Sequence, residues 1–173
     1  MTLTGDWNKV TDRLGNIGRR IRESCGDAMS ESIALVEKTV VKHIDDQDLP
    51  WPPLSEKYAR YKERTRSGKW RRKRRKAGLS SPRRLSEKML IATGAYRNAI
   101  TSHKIGPFEG EVGVSRQEAY SGGEKIANIG QIMEEGTRDG RIPARPHWEP
   151  SAEEVEGKVE KIFEKALAEA FGV

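Results

Sequence analysis

At 173 residues, with 35% hydrophobic and 34% charged side chains and a net charge of +6, the chain has the length of one domain with an economical core and a densely charged surface. No apolar run is long enough to span a bilayer, and the polar start MTLTGDWNKVTD argues against a signal peptide. The single cysteine, Cys25, excludes an internal disulfide and points to a reducing compartment such as the cytosol.

The first predicted element is a long helix. Apolar residues fall at Trp7, Val10, Leu14, Ile17, Ile21, Cys25, Met29, Ile33, Val36, Val40 and Ile44, and every step is three or four. This stripe reads as core, with a partner-helix or oligomer interface along part of it as the alternative. Gly15, Gly18 and Gly26 each weaken the helix by roughly 1 kcal/mol relative to Ala, which leaves Gly26 as the place for a bend or break. Cys25 sits in the pattern as a small buried or half-buried residue. Asp45, Asp46, Asp48 and Pro50 end the helix. The stiff connection LPWPPLS follows, anchored by Trp51, and Ser55 can cap a short helix through Tyr58 and Tyr61.

The charge is concentrated in one segment. Residues 60–84 hold 13 Lys/Arg and one acid, Glu63, a net of +12, whereas residues 1–59 are at −2 and residues 85–173 at −4. Six consecutive cations, Arg71 to Lys76, repel one another, so the chain from Thr65 to Arg84 is expected to be a mobile basic loop inserted in a single domain spanning 1–173. Lys69, Trp70, Arg71, Arg72, Lys73, Arg74, Arg75 and Lys76 are the candidate electrostatic contact. Cations neutralise phosphates, and Trp70 could stack on a base. An acidic protein surface is the other candidate partner.

A helical segment is predicted from Leu85 through Met89, Leu90 and Ile91, broken or re-aimed at Gly94 before Tyr96, Ala99 and Ile100. Residues 99–106 and 110–115 alternate as a β-hairpin around the turn PFEG. Residues 119–123 read as a loop. Lys125 to Glu135 reads as a short helix stopped by Gly136. The ribbon from Glu134 to Pro150, EEGTRDGRIPARPHWEP, should follow one extended, stiff path, because its glycines supply unusual backbone angles and its prolines fix φ. Residues 142–148 should be extended and at best an edge strand, since Pro146 cannot donate to a ladder. A helix from Ser151 to Phe171 begins with a capping box of Ser151 and Glu154, buries Val155, Val159, Ile162, Phe163, Ala166, Leu167 and Phe171, and ends at Gly172.

Chemistry is sparse. His43, His103 and His147 have no metal-like spacing to one another or to Cys25, and the zinc-protease, paired C-x-x-C and P-loop patterns do not occur. Glu134 and Glu135 read as solvated or capping carboxylates. Ser121-Gly122-Gly123 lacks the lysine of a phosphate cradle. No catalytic, cofactor-binding or metal-binding residue is assigned and no enzyme is expected. The rigid ribbon suits docking.

The order of these marks resembles a known family. Trp51-Pro52-Pro53-Leu54-Ser55 precedes the basic stretch. Then come Leu90-Ile91-Ala92-Thr93-Gly94 with Tyr96-Arg97-Asn98, a hairpin with Val112-Gly113, Ile132-Met133-Glu134-Glu135-Gly136-Thr137, and Ile142-Pro143-Ala144-Arg145-Pro146 before the last helix. Over roughly residues 50–170 this resembles the phage virion morphogenesis family of tail completion and head–tail joining proteins. Two features depart from it: His147-Trp148 stands where a Phe commonly follows the second proline, and the basic segment is long. The resemblance implies an α+β fold, with a long N-terminal helix and a C-terminal helix on a small antiparallel β-sheet. It implies a structural, non-enzymatic virion protein that completes the tail or joins it to the head. Other tail or neck proteins would be its partners, with no membrane among them, in a homo-oligomeric ring through which DNA passes. It implies a place in the virion, after assembly in the host cytoplasm. Gly94, Glu135, Gly136, Thr137, Pro143, Arg145 and Pro146 are the candidate structural or subunit-contact residues. Arg145 either fixes the domain's own edge or reaches a neighbouring subunit. The alternative function is non-specific nucleic-acid binding through residues 69–76.

Overall fold

The computed structural model describes residues 5–79, 85–115, 119 and 123–172, so the expectations for Ser80 to Arg84 and Tyr120 to Gly122 lie outside the described residues. The fold is α+β. Six helices are present among the described residues: α1 (Trp7–Asp46), α2 (Glu56–Arg66), α3 (Gly68–Lys76), α4 (Ala95–Asn98), α5 (Ile126–Glu135) and α6 (Trp148–Phe171). An antiparallel hairpin pairs β1 (Ile100–Gly106) with β2 (Glu109–Val114). The chain divides into two compact units, one of residues 1–36, 102–112 and 154–173, the other of residues 37–101 and 113–153.

In the first unit the hairpin and α6 meet α1. Gly26, where the sequence allows a bend or break, does not interrupt α1, which runs unbroken for 40 residues. Gly26 is instead a place of close approach. Its carbonyl accepts Lys104 Nζ at 2.6 Å, and a Cβ there would lie 3.2 Å from that nitrogen. Gly110 of β2 lies as close, since a Cβ on it would come within 2.8 Å of Ile33 Cγ2. At the far end of α6, Arg20 Nη2 donates to the Glu169 carbonyl at 2.8 Å. The stripe on α1 is therefore core only in part. Cys25 and Ala28 are buried, but Trp7, Val10 and Leu14 are 59%, 46% and 64% exposed. The hairpin covers α1 around Gly26 to Ile33 and α6 ends opposite Arg20, so the first turns have no cover among the described residues.

The second unit centres on Val40, Ile44, Trp51, Leu90, Tyr96, Ala99, Ile100 and Ile126, all buried. Residues 85–93 form turns where a helix was expected. The Gln47 side chain clamps Met89 through both backbone groups, at 2.7 and 3.1 Å, and Lys62 Nζ takes the carbonyls of Lys88 and Ile91 at 2.6 and 3.0 Å. A helix would have used those groups internally. Gly94, at φ 85°, then starts the short α4.

Helix α5 stops at Gly136 (φ 77°) as the sequence predicts. Beyond it the ribbon is not one extended path: it turns back over residues 138–142, and residues 143–147 then run on without joining a sheet. The capping box at Ser151 is not formed. Helix α6 starts at Trp148, and the Ser151 hydroxyl, one turn inside, donates to the His147 carbonyl at 2.6 Å. The orphan N–H groups at this helix start are met by Glu134, whose carboxylate accepts from His147 N at 2.9 Å and Trp148 N at 3.3 Å. The capping alternative for Glu134 is thus the one adopted.

Candidate docking site: a basic helix and a buried ribbon

The basic segment, expected as a loop, contains a helix, and this corrects the reading of Arg71 to Lys76. Ser67 (φ −66°, ψ 116°) turns the chain out of α2, and α3 follows at once. Lys and Arg are good helix formers, and like-charge pairs one turn apart cost only a few tenths of a kcal/mol each. Lys73 to Lys76 occupy the last turn, where the helix dipole favours cations. The guanidinium of Arg74 lies 5.3 Å from the centre of the Trp70 ring. The end is closed by a Schellman motif: Leu79 N donates to Arg74 O and Gly78 N to Arg75 O, with Gly78 at φ 68°.

No residue of α3 is buried. Lys69, Arg72, Lys73, Arg75 and Lys76 are exposed, while Trp70, Arg71 and Arg74 are half-buried. Seven cations therefore stand on a helix about 13 Å long, a spacing that suits phosphates or acidic side chains. The Trp70 ring is engaged by Arg74 rather than presented as an open stacking plate.

The ribbon forms the inside of the second unit. Gly136 sits where a Cβ would lie 2.8 Å from both Ala144 N and Ile142 O, so glycine is required for the chain to fold back on itself. Thr137 N donates to Ile142 O at 2.9 Å, Ile142 N donates to Thr137 Oγ1 at 3.0 Å, and the Thr137 hydroxyl donates to Asp139 Oδ1 at 2.7 Å. Arg145 N reaches Met133 O at 2.7 Å. The Arg145 side chain is 4% exposed and faces inward, with Nε donating to Pro52 O at 3.1 Å and Nη2 to Pro53 O at 3.2 Å. Trp51 Nε1 donates to Pro146 O at 2.7 Å. Burial pushes the Arg145 pKa down from its ordinary value, while its partners remain neutral carbonyls.

Around this ribbon lies a cluster that sequence reasoning did not assign. His147 is fully buried between Tyr96, Trp148, Trp51 and Glu134. Gly130 lets α5 approach Tyr96, since a Cβ there would come within 2.6 Å of the ring. Two signals pointed to it: the His147-Trp148 departure after Pro146, and the aromatic anchor at Trp51. Burial raises the Tyr96 pKa above the ordinary phenol range. Burial also lowers the His147 pKa, against the opposing effects of the Arg145 carbonyl and the Glu134 carboxylate. With no exposure, the imidazole has no access to a substrate.

The structure thus brings Gly136, Thr137, Pro143, Arg145 and Pro146 into one packed assembly, with Tyr96 carried in on the helix that Gly94 begins. Glu135 is exposed and accepts from Gln131 Nε2 at 3.3 Å. Lys69 to Lys76 form a separate surface helix. Among the described residues no group of three His, Cys, Asp or Glu side chains could hold a metal ion, and no helix is long and apolar enough to cross a membrane.

Compared with protein-family models, with curated proteins and with solved structures, the chain matches none.

Proposed function

We propose that this protein is a structural component of a tailed bacteriophage or prophage virion that completes the tail or joins it to the head. The observation that carries the proposal is the convergence of the motifs on which the resemblance rests. Trp51 to Pro53, Met133 to Thr137 and Ile142 to Pro146 hold one another through the bonds of Arg145, Trp51 and Gly136, and Tyr96 after Gly94 joins them through His147, whose backbone N–H is held by Glu134. Residues scattered over nearly a hundred positions serve a scaffold, as expected of a part whose task is to hold a shape. In this proposal α3 supplies the electrostatic contact with a neighbouring tail or neck protein, and the protein works as a homo-oligomeric ring.

Inactivating the gene in the phage or prophage that encodes it tests the proposal. Electron microscopy should find heads and tails that fail to join, or tails of aberrant length. Normal numbers of infectious particles would overturn it.

A second reading is non-specific nucleic-acid binding, and the observation favouring it is the row of seven cations on α3. Replacing Arg71 to Lys76 by Ser would then weaken DNA binding and flatten its dependence on salt, by roughly one unit of log–log slope per lost phosphate contact. An unchanged affinity and slope would remove this reading.

A further inference from the structure

The second unit contains a cleft of about 660 Å³ that neither the scaffold nor α3 uses. That volume is within the range of ligand-binding clefts, roughly 300–1,000 Å³. Its walls are mainly aliphatic, with Leu54, Leu90, Ile129, Met133 and Ile142 contributing, and its lining contains no carboxylate. It does contain Lys62 and Arg145, which are 3% and 4% exposed.

The partners of these two cations make the site unusual. Lys62 Nζ donates to the carbonyls of Lys88 and Ile91, and Arg145 to those of Pro52, Pro53 and, at 3.5 Å, Pro143. Among the described residues no carboxylate pairs with either. Two positive charges are thus withdrawn from water beside an apolar cavity and are compensated by neutral carbonyls and, for Lys62, by the face of the Tyr58 ring, 5.4 Å from Nζ to its centre. Buried charge is costly unless paired, and a carboxylate entering the cleft would supply the missing pairing. An ammonium has three N–H donors and a guanidinium five, so the carbonyl bonds leave donating capacity for a ligand. At the rim stand Tyr58, 39% exposed, and Arg141, which pairs with Asp139 at 3.1 Å.

We infer that this cleft is a docking site for a segment of a partner protein in which a large aliphatic side chain lies next to an aspartate or glutamate. The aliphatic group would enter among Leu90, Ile129 and Met133, and the carboxylate would turn toward Lys62 and Arg145. Three features favour a protein segment as the occupant. The charge is complementary to an acid. Backbone outside helix and strand, at residues 53–55 and 142–143, borders the cleft. The rim carries a tyrosine and an arginine, which are enriched among the residues that dominate protein interfaces. The inference rests on the cleft alone and stands or falls apart from the virion proposal.

The test is a titration of the full ¹⁵N-labelled chain with acetyl-Leu-Asp-Leu-amide and, separately, with acetyl-Leu-Asn-Leu-amide, followed by backbone chemical shifts. The aspartyl peptide should shift residues 129–133 and 90–92 and bind about tenfold more tightly than the asparaginyl one, as a charge-assisted pair in a desolvated site requires. Lys62→Met should reduce that preference to about twofold or less, because it removes one of the two cations that read the charge. Tyr58→Ala opens the rim and removes the ring whose centre lies 5.4 Å from Lys62 Nζ, and should weaken both peptides about threefold or more. Equal affinity of the two peptides for the wild-type chain overturns the inference whether or not Lys62→Met folds. So does an absence of shifts around the cleft, and so does tighter binding of octanoate than of the aspartyl peptide.

Discussion

The hydroxyl of Tyr96 lies 2.5 Å from Nε2 of His147, and the same oxygen receives the indole N–H of Trp148 at 3.2 Å. On the other side of the imidazole, Nδ1 faces two acceptors, Glu134 Oε2 at 2.8 Å and Arg145 O at 3.0 Å. Two acceptors there place the proton on Nδ1, so Nε2 accepts the phenol proton. A neutral imidazole satisfies every atom of this chain of bonds. Tyr96→Phe leaves Nε2 and the Trp148 N–H without their partner. It should destabilise the protein by about 1–3 kcal/mol, read as a lower urea midpoint with an unchanged slope.

The same burial makes stability sensitive to acid. Because burial holds the His147 pKa below its ordinary value, the unfolded chain takes up its proton near pH 6.5 while the folded chain resists. The unfolded state then binds more protons, so stability falls as pH drops through about 6.5 and stops falling once the folded imidazole also titrates. Urea midpoints for the wild type and His147→Gln, compared at about pH 7.5 and pH 5.5, should show a loss on acidification that the variant lacks or has in smaller measure.

Lys62 predicts the opposite end of the scale. Burial, reinforced by Arg145 and then Arg66, lowers its pKa to about 8. Between about 8 and the ordinary lysine value near 10.4, the unfolded chain holds a proton that the folded chain has lost, so stability rises with pH across that window. Lys62→Met removes the titrating group, and its urea midpoint should not show this rise.

Gly136→Ala tests the fold-back of the ribbon. Its backbone, φ 77° and ψ −179°, lies in a region open almost solely to glycine, at a cost of about 1–3 kcal/mol for other residues. A Cβ would also lie 2.8 Å from two backbone atoms that cannot move aside as a flexible side chain would. The variant should lose at least about 2 kcal/mol, and amide exchange at Thr137 and Arg145 should accelerate the most.

Several elements were legible in the sequence because their signals are local. The spacing from Ile17 to Ile44, the PFEG turn and the glycine after Glu135 each identify structure within a few residues. Helix α3 is legible only at its stop, where Gly78 and Leu79 after the cations spell a Schellman ending; repulsion among the cations points to a loop but is weaker than the helix propensity of Lys and Arg. The start of α6 was misplaced because Ser151 and Glu154 form a valid local pattern. The group that caps the helix, Glu134, stands 13 residues before His147. The turns of residues 85–93 depend on Lys62, 26 and 29 positions from the carbonyls it binds. At Trp7, Val10 and Leu14 the periodicity gives the apolar face of a helix, but it carries no information about what covers that face. The His147 cluster was not legible as a site, since Tyr96 lies 51 positions away.

Arg145 is fastened to main-chain carbonyls, and this makes its contribution one-sided in mutation. A salt bridge can be broken by changing either partner, but Pro52 and Pro53 present carbonyl oxygens that any replacement residue would also carry. Only the arginine itself is a single point of failure. Lysine at that position would offer one compact ammonium where a planar fork now spans two successive carbonyls. The sequence around residues 52–53 could therefore drift widely, provided the path of the backbone is kept, while position 145 tolerates almost nothing.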